Sequence, residues 1–479
     1  MFDGYLMGIA RLSAEEATVP AEGIRSTRPN AESTARPSGR VRRTVARRWF
    51  SLLVATVIVA AGVLFTFFWY PVVRHADVWF MQGDLWGIYR GAQYVGWGNV
   101  GGVYGPDTGM VTLPGIAVVL APVAMLSDTF HLSSSAGGFL LPRPSAAVLL
   151  VPVELILAST VVVAADALAD ELGVGRARRA VVSVVIGLMT WALASLWGHP
   201  EDALVMTFAL FAMRAAYRGR WSRAAWLFGL GIAFQPLIAL VVPLYLAASP
   251  KSGRVLFALR CSAISAFLVL LAFLDNASGT LHVLLHQPTP PSLNHATPWI
   301  SLAPHEWLGA SRTVKEFTPV FSHGRVFFAG TPSVIHPLLE IFAGPGRVIY
   351  LALALVAGLY VWRHPVRPDR LLWLAALVLT GRCYFEAVMT AYYVTPPLIL
   401  LVVLAGRTTR GRLAAVVVLT ATISWYAYLD EPPWLWWLPI IATLTALLAL
   451  TSPASEPDFD EVQHGIDTHD EPVLAANSV

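Results

Sequence analysis

A succession of separate apolar blocks, with arginine gathered in the short segments between them, constrains this sequence more than any other feature. A segment lying in hydrocarbon has no water to satisfy its backbone, so it closes its own hydrogen bonds as a helix. Blocks at about 50–70, 146–168, 256–274 and 434–451 approach or exceed the roughly 20 residues that a spanning helix needs. Of the 479 residues only 13% are charged, against roughly 25% in a soluble domain. The expected fold class is therefore an all-α polytopic integral membrane protein in the cell membrane.

The basic clusters supply a topology. Arg42, Arg43, Arg47 and Arg48 precede the first block, which places the N-terminus in the cytoplasm. Later clusters stand at Arg176–Arg179, Arg218–Arg223, Lys251–Arg260, Arg363–Arg370 and Arg407–Arg412. If each is cytoplasmic, an even number of crossings separates neighbours, and the apolar blocks pair accordingly. Parity then gives about twelve crossings, provided that the short block 113–126 is re-entrant or interfacial. Both termini are cytoplasmic in this scheme. Residues 1–48 are expected to be a disordered segment and 452–479 an acidic disordered tail, flanking a membrane domain at 49–451. The first apolar block ends in large residues, so it reads as an uncleaved first helix rather than a signal peptide.

Composition also removes some classes. A formal net charge of +3 is too small to suggest a nucleic-acid partner. Cys261 and Cys383 both lie in or beside apolar segments, without metal-ligand spacing. The 17 Trp suit interfacial belts, and Tyr392 and Tyr393 are read the same way.

The polar residues with chemical potential fall on the opposite, outer side. Two large outer loops are expected, 71–112 and 275–336. The first contains His75, Asp77, Asp84, Tyr89 and Arg90. Short outer turns add His199-Pro200-Glu201-Asp202, Gln235-Pro236, and the pair Arg382 and Glu386. Polar groups at membrane depth are costly and mark functional sites. A carboxylate can take a proton from an attacking hydroxyl, and an arginine fork can hold two phosphate oxygens. Structural readings stand beside these. Asp84 can cap the amphipathic stretch 85–94. Glu201 and Asp202 suit a helix start with proline in its first turn. Arg382 and Glu386 have the i, i+4 spacing of a helical ion pair. His282 and His286 share a helix face, but no carboxylate completes a metal site. No metal is assigned. A divalent cation is possible without being indicated, and no cofactor is expected.

The run GDLWGIYRGAQYVGWGNVGGVYGPDTGMVTLPGIAVVLAPVAML, from Gly83 onward, resembles the first-loop signature of GT-C membrane glycosyltransferases. It is most similar to glycosyltransferase family 87, the polyprenyl-phosphate-mannose-dependent enzymes of actinobacteria. The matching positions are Asp84, Leu85, Tyr89, Tyr104 and Pro114. The later run from Trp197 to Leu246 is also similar to GT-C proteins. Two positions depart from the pattern: Thr112-Leu113-Pro114 replaces an aromatic-Pro-Pro, and Gln235 stands where lysine is frequent.

The resemblance implies a GT-C-like bundle with a large first outer loop. It implies transfer of a sugar, mannose or arabinofuranose, from a polyprenyl-phosphate donor to a cell-envelope glycolipid or glycan outside the cytoplasm. Asp84 inherits the role of general base, with Asp77 as the runner-up. Tyr89, Arg90, His199, Glu201, Asp202, Gln235, Arg382 and Glu386 are the expected substrate-binding residues. The donor, the acceptor and membrane lipid are the expected partners. Two alternatives stand beside this reading: a catalytically inactive GT-C relative, and a polytopic transporter or lipid flippase.

Overall fold

The computed structural model describes residues 37–74, 79, 83–105, 108, 110–132, 143–286, 295–308, 317–322, 325–330, 338–341, 344–429 and 431–453. The chain divides into two units at Arg47/Arg48; apart from the first residues of α1, the elements below belong to the second. The protein is helical, with short two-stranded ribbons among the described residues. Six helices are long and apolar enough to cross a membrane: Ala46–Val73, Ala147–Glu171, Arg176–Trp197, Lys251–Asp275, Pro345–Arg363 and Pro433–Thr451. This is a helical membrane protein.

In chain order the helices are α1 (Pro37–Leu64), α2 (Tyr70–Arg74), α3 (Gly83–Gly96), α4 (Gly115–Thr129) and α5 (Ala147–Glu171). Then come α6 (Arg176–Ala192), α7 (Pro200–Tyr217), α8 (Trp221–Phe234), α9 (Val242–Ala248), α10 (Arg254–Asp275) and α11 (Ala277–His286). The last are α12 (Pro345–Arg363), α13 (Pro368–Phe385), α14 (Thr395–Ala405), α15 (Arg410–Tyr426) and α16 (Pro433–Thr451). Proline opens α7, α12, α13 and α16, where its missing N–H costs no intrahelical bond. Gly198, at φ 69°, closes the π-helical turn Leu193–Trp197 that extends α6. That left-handed position favours glycine. Gln235 is extended, and Pro236 starts a 3₁₀ turn before α9, so the break expected at Gln235-Pro236 is present.

Contacts tie the helix ends into two sets. At one end, Asp166 and Asp170 near the end of α5 bind Arg48 from α1 and Arg179 from α6. Glu171 takes Arg214 and Arg218 from the end of α7. Asp369 at the start of α13 accepts from Arg407 after α14. Trp373 on α13 donates to the Leu448 carbonyl on α16. At the other end, the Trp197 ring meets Tyr392 and Tyr428. There Trp436 at the start of α16 donates to the Ala427 carbonyl after α15, and Arg347 on α12 pairs with Glu386 after α13. A helix the length of α6 with its extension, 22 residues, separates the two ends by roughly 33 Å.

The short block 113–126 becomes α4, only 15 residues long. It runs alongside α3. Gly91 and Gly96 of α3 bring that backbone against Ala117, Ala121 and Met125 of α4, and Gln93 donates to Asp128 Oδ1 at 2.8 Å. The start of α4 lies against the Ala233 carbonyl at the end of α8. The second loop, expected at 275–336, holds α11 and strand segments. One of these, His295–Ala296, pairs antiparallel with Val388–Met389 after α13.

Candidate active site

Asp84 sits in the first turn of α3. Its Oδ2 lies 3.0 Å from Nε2 of His199, and the opposite ring nitrogen, Nδ1, lies 2.5 Å from Glu201 Oε1. The result is a carboxylate–imidazole–carboxylate relay, with Asp84 as its open end. The Asp84 side chain is 61% exposed while that of His199 is 10% exposed. Glu201 is fully buried. The local sequence explains the arrangement. The left-handed Gly198 turns the chain sharply, Pro200 starts α7, and the two acids fall in its first turn, near the positive end of the helix dipole.

Electrostatics follow from the relay. Burial pushes the His199 pKa down, but the charge of Glu201 and the bonds to Asp84 and Glu201 outweigh it and hold the imidazole well above its usual range. The shift favours the imidazolium form, which can donate from both nitrogens. Desolvation raises Asp84, yet its bond to His199 and the charge there win, so its carboxyl lies below the ordinary value. Asp84 is an ionised acceptor on a side chain that stays mostly exposed.

Further groups converge. The Tyr392 ring lies 4.0 Å from the His199 ring. Gln235, at the break after α8, donates to Asp202 Oδ1 at 3.3 Å. Glu386 gathers Arg347 at 3.0 Å, Arg382 at 3.6 Å and the Tyr350 hydroxyl at 3.2 Å. The Arg382 guanidinium lies over the Tyr393 ring at 3.6 Å. The belt reading of Tyr392 and Tyr393 is therefore corrected, because both rings turn inward onto charged partners. Arg382 and Glu386 do form the i, i+4 pair, as part of a larger cluster.

A groove of about 630 Å³ adjoins this cluster. Gln235, Arg347, Arg382 and Glu386 line its polar part, and Val269 and Leu351 belong to its apolar walls. Gln235 lines the groove and also bonds Asp202. That residue links the groove to the relay.

Other expected site residues lie elsewhere. Tyr89 is fully buried in the core. Arg90 turns along α3, with Nη1 2.7 Å from Gln93 Oε1. Asp77 and His75 lie outside the described residues. The sequence reading missed Arg347, Tyr350 and Glu154. Glu154 is a lone acid in the apolar run of α5, buried to 1% exposure. Such a residue is itself a functional signal. Its Oε1 and the Oε2 of Glu201 are both buried without a hydrogen-bond partner among the described residues.

Donor atoms of His199, Glu201 and Asp202 lie within 4.8 Å of one another, close enough to share a cation. An imidazolium cannot ligate, so metal binding there has to displace the His199 proton.

No protein-family model matches the sequence, and no curated protein matches it.

Proposed function

We propose that the protein is a GT-C-type membrane glycosyltransferase, which moves a sugar from a polyprenyl-phosphate donor to an envelope glycolipid or glycan at the outer face. The observation that carries this reading is the open Asp84 carboxylate held by His199, together with a groove of arginines and apolar walls that Gln235 connects to the neighbouring Asp202. A soluble nucleotide-sugar enzyme has no use for such a groove. A prenyl chain does, and its phosphate needs cations at one end.

In this mechanism Asp84 accepts the proton of an acceptor hydroxyl. The acceptor oxygen forms a bond to the anomeric carbon as the bond from that carbon to the phosphate oxygen breaks. The polyprenyl phosphate leaves with one more negative charge than it carried as a diester. Arg382 and Arg347 face that growing charge, which favours the transition state over the bound donor. His199 acts as a positioning residue that keeps Asp84 ionised and aimed.

The bundle in this reading has twelve crossings: α1, α5, α6, α7, α8, α9 with its 3₁₀ turn, α10, α12, α13, α14, α15 and α16. The two sets of helix ends support it, as does α4, which stays beside α3. The arginine-bearing end is cytoplasmic by the positive-inside rule.

One observation favours a second reading. Two buried carboxylate oxygens without a hydrogen-bond partner among the described residues, Glu154 Oε1 and Glu201 Oε2, in a bundle with a broken helix also suit a proton- or cation-coupled transporter. Membranes that contain the chain, given labelled polyprenyl-phosphate mannose or the arabinofuranose donor with envelope lipid as acceptor, separate the two. Chain-dependent label in a glycolipid or glycan supports the transferase. No label from either donor contradicts it and leaves the transporter or an inactive relative.

A further inference from the structure

The end of the bundle opposite Asp84 carries a larger cavity, about 820 Å³, between the α5–α6 turn and the α14–α15 turn. Arg176, Arg178, Arg407 and Arg410 line it, and no aspartate or glutamate does. Arg178 is committed to the scaffold. It donates to the carbonyls of Gly406 and Thr408 at 3.2 and 2.8 Å, which fixes two turns some 230 residues apart as one wall. Arg407 binds Asp369 while its side chain stays 40% exposed. Arg176 and Arg410 are exposed, with no acidic partner among the described residues.

The positive-inside rule accounts for arginine at this end but not for a concave site. The apolar side of the site is equally specific. Val181 of α6 and Val418 of α15 line the cavity and are 40% and 63% exposed. Val184 and Leu188 continue the Val181 face at helical spacing and are also exposed. Trp425 continues the Val418 face at i+7 in the same state. A cationic mouth thus opens onto an apolar strip that leads toward the middle of the bundle.

We propose that this cavity binds an anionic phospholipid from the leaflet at the arginine end. The headgroup phosphate lies between Arg176 and Arg410, and an acyl chain follows Val181, Val184 and Leu188. Guanidinium forks match phosphate oxygens in pairs. Basic pockets between spanning helices select anionic headgroups in this way. A free phosphate has no use for the apolar strip, and a zwitterionic lipid gains little from two unpaired arginines.

The test uses the full-length chain, purified in detergent and stripped of lipid. Native mass spectrometry titrates phosphatidylglycerol, phosphatidylcholine and inorganic phosphate separately. Saturable binding is expected for phosphatidylglycerol alone. In Arg176→Gln/Arg410→Gln it weakens about 30-fold, roughly fivefold for each arginine near an anionic headgroup. In Arg176→Lys/Arg410→Lys the charge is kept and the fork lost, so the affinity falls between those of the native chain and the glutamine variant. Both positions are exposed, so the lipid-free melting temperature stays unchanged in either variant. Equal affinity for phosphatidylcholine overturns the proposal, and so does an unchanged affinity in the glutamine variant. Inorganic phosphate that competes at the lipid's own concentration also overturns it, by making the site one for free anions.

Discussion

Oδ2 of Asp84, in the first turn of α3, lies 3.0 Å from Nε2 of His199, 115 positions later and at the start of α7. This bond ties the amphipathic α3 to the helical bundle, raises the pKa of His199 and lowers that of Asp84.

The stability of this pair depends on pH in a definite direction. His199 has its folded pKa raised, so its contribution is fully present below its ordinary value of 6.5 and is lost as pH rises through the folded value. Asp84 has its folded pKa lowered, so its contribution is present above 3.8 and is lost as pH falls through the folded value. The melting temperature of the native chain is expected to exceed that of His199→Gln at pH 6, with the gap closing as the medium becomes alkaline. A gap that widens with rising pH contradicts the assignment.

The amphipathic α3, the helix start at Pro200 and the break at Gln235-Pro236 were all legible in the sequence, since each has a local cause: periodicity, proline at N1, or proline within a helical run. The partnership of Asp84 with His199 was not legible, because it depends on how α3 lies across the bundle. Tyr392 and Tyr393 misled for the same reason. Adjacent tyrosines just before a helix start have the composition of a belt, and only packing turns them onto His199 and Arg382. Glu154 carried a signal that the reading passed over, a single carboxylate within an apolar span. Arg347 carried none, lying just inside α12 after a long loop.

Glu386 is the hub of the arginine cluster. It is 4% exposed and answers both Arg347 and Arg382. Glu386→Ala leaves two largely buried guanidinium groups without their carboxylate, and breaking a buried pair costs about 3–5 kcal/mol. Thermal unfolding in detergent is expected to show a large fall in melting temperature, with reduced yield. A variant as stable as the native chain contradicts the cluster's role.

Gly87 sets the height of α3. A Cβ there meets the Thr108 carbonyl oxygen at 2.2 Å, and Thr108 is held by bonds to the Val103 and Gly105 carbonyls. Gly87→Ala therefore lifts α3, and Asp84 with it. A displacement of about 1 Å costs on the order of 100-fold in rate, so transfer is expected to drop by about that factor. Gly411→Ala, where a Cβ meets nothing within 4 Å, is the matched control and leaves transfer unchanged. Equal activity in the two variants contradicts the positioning of Asp84 through α3.

The central claim, that Asp84 is the base of a sugar transfer, is tested most directly by Asp84→Asn. The substitution is nearly isosteric at a side chain that is 61% exposed, so expression and folding are retained. Transfer from the polyprenyl-phosphate donor is to be measured in membranes with matched amounts of the native chain and the variant. The account predicts a loss of about 10²–10⁴-fold, the range for removal of a general base, with donor binding retained. A variant that transfers sugar at the native rate contradicts it.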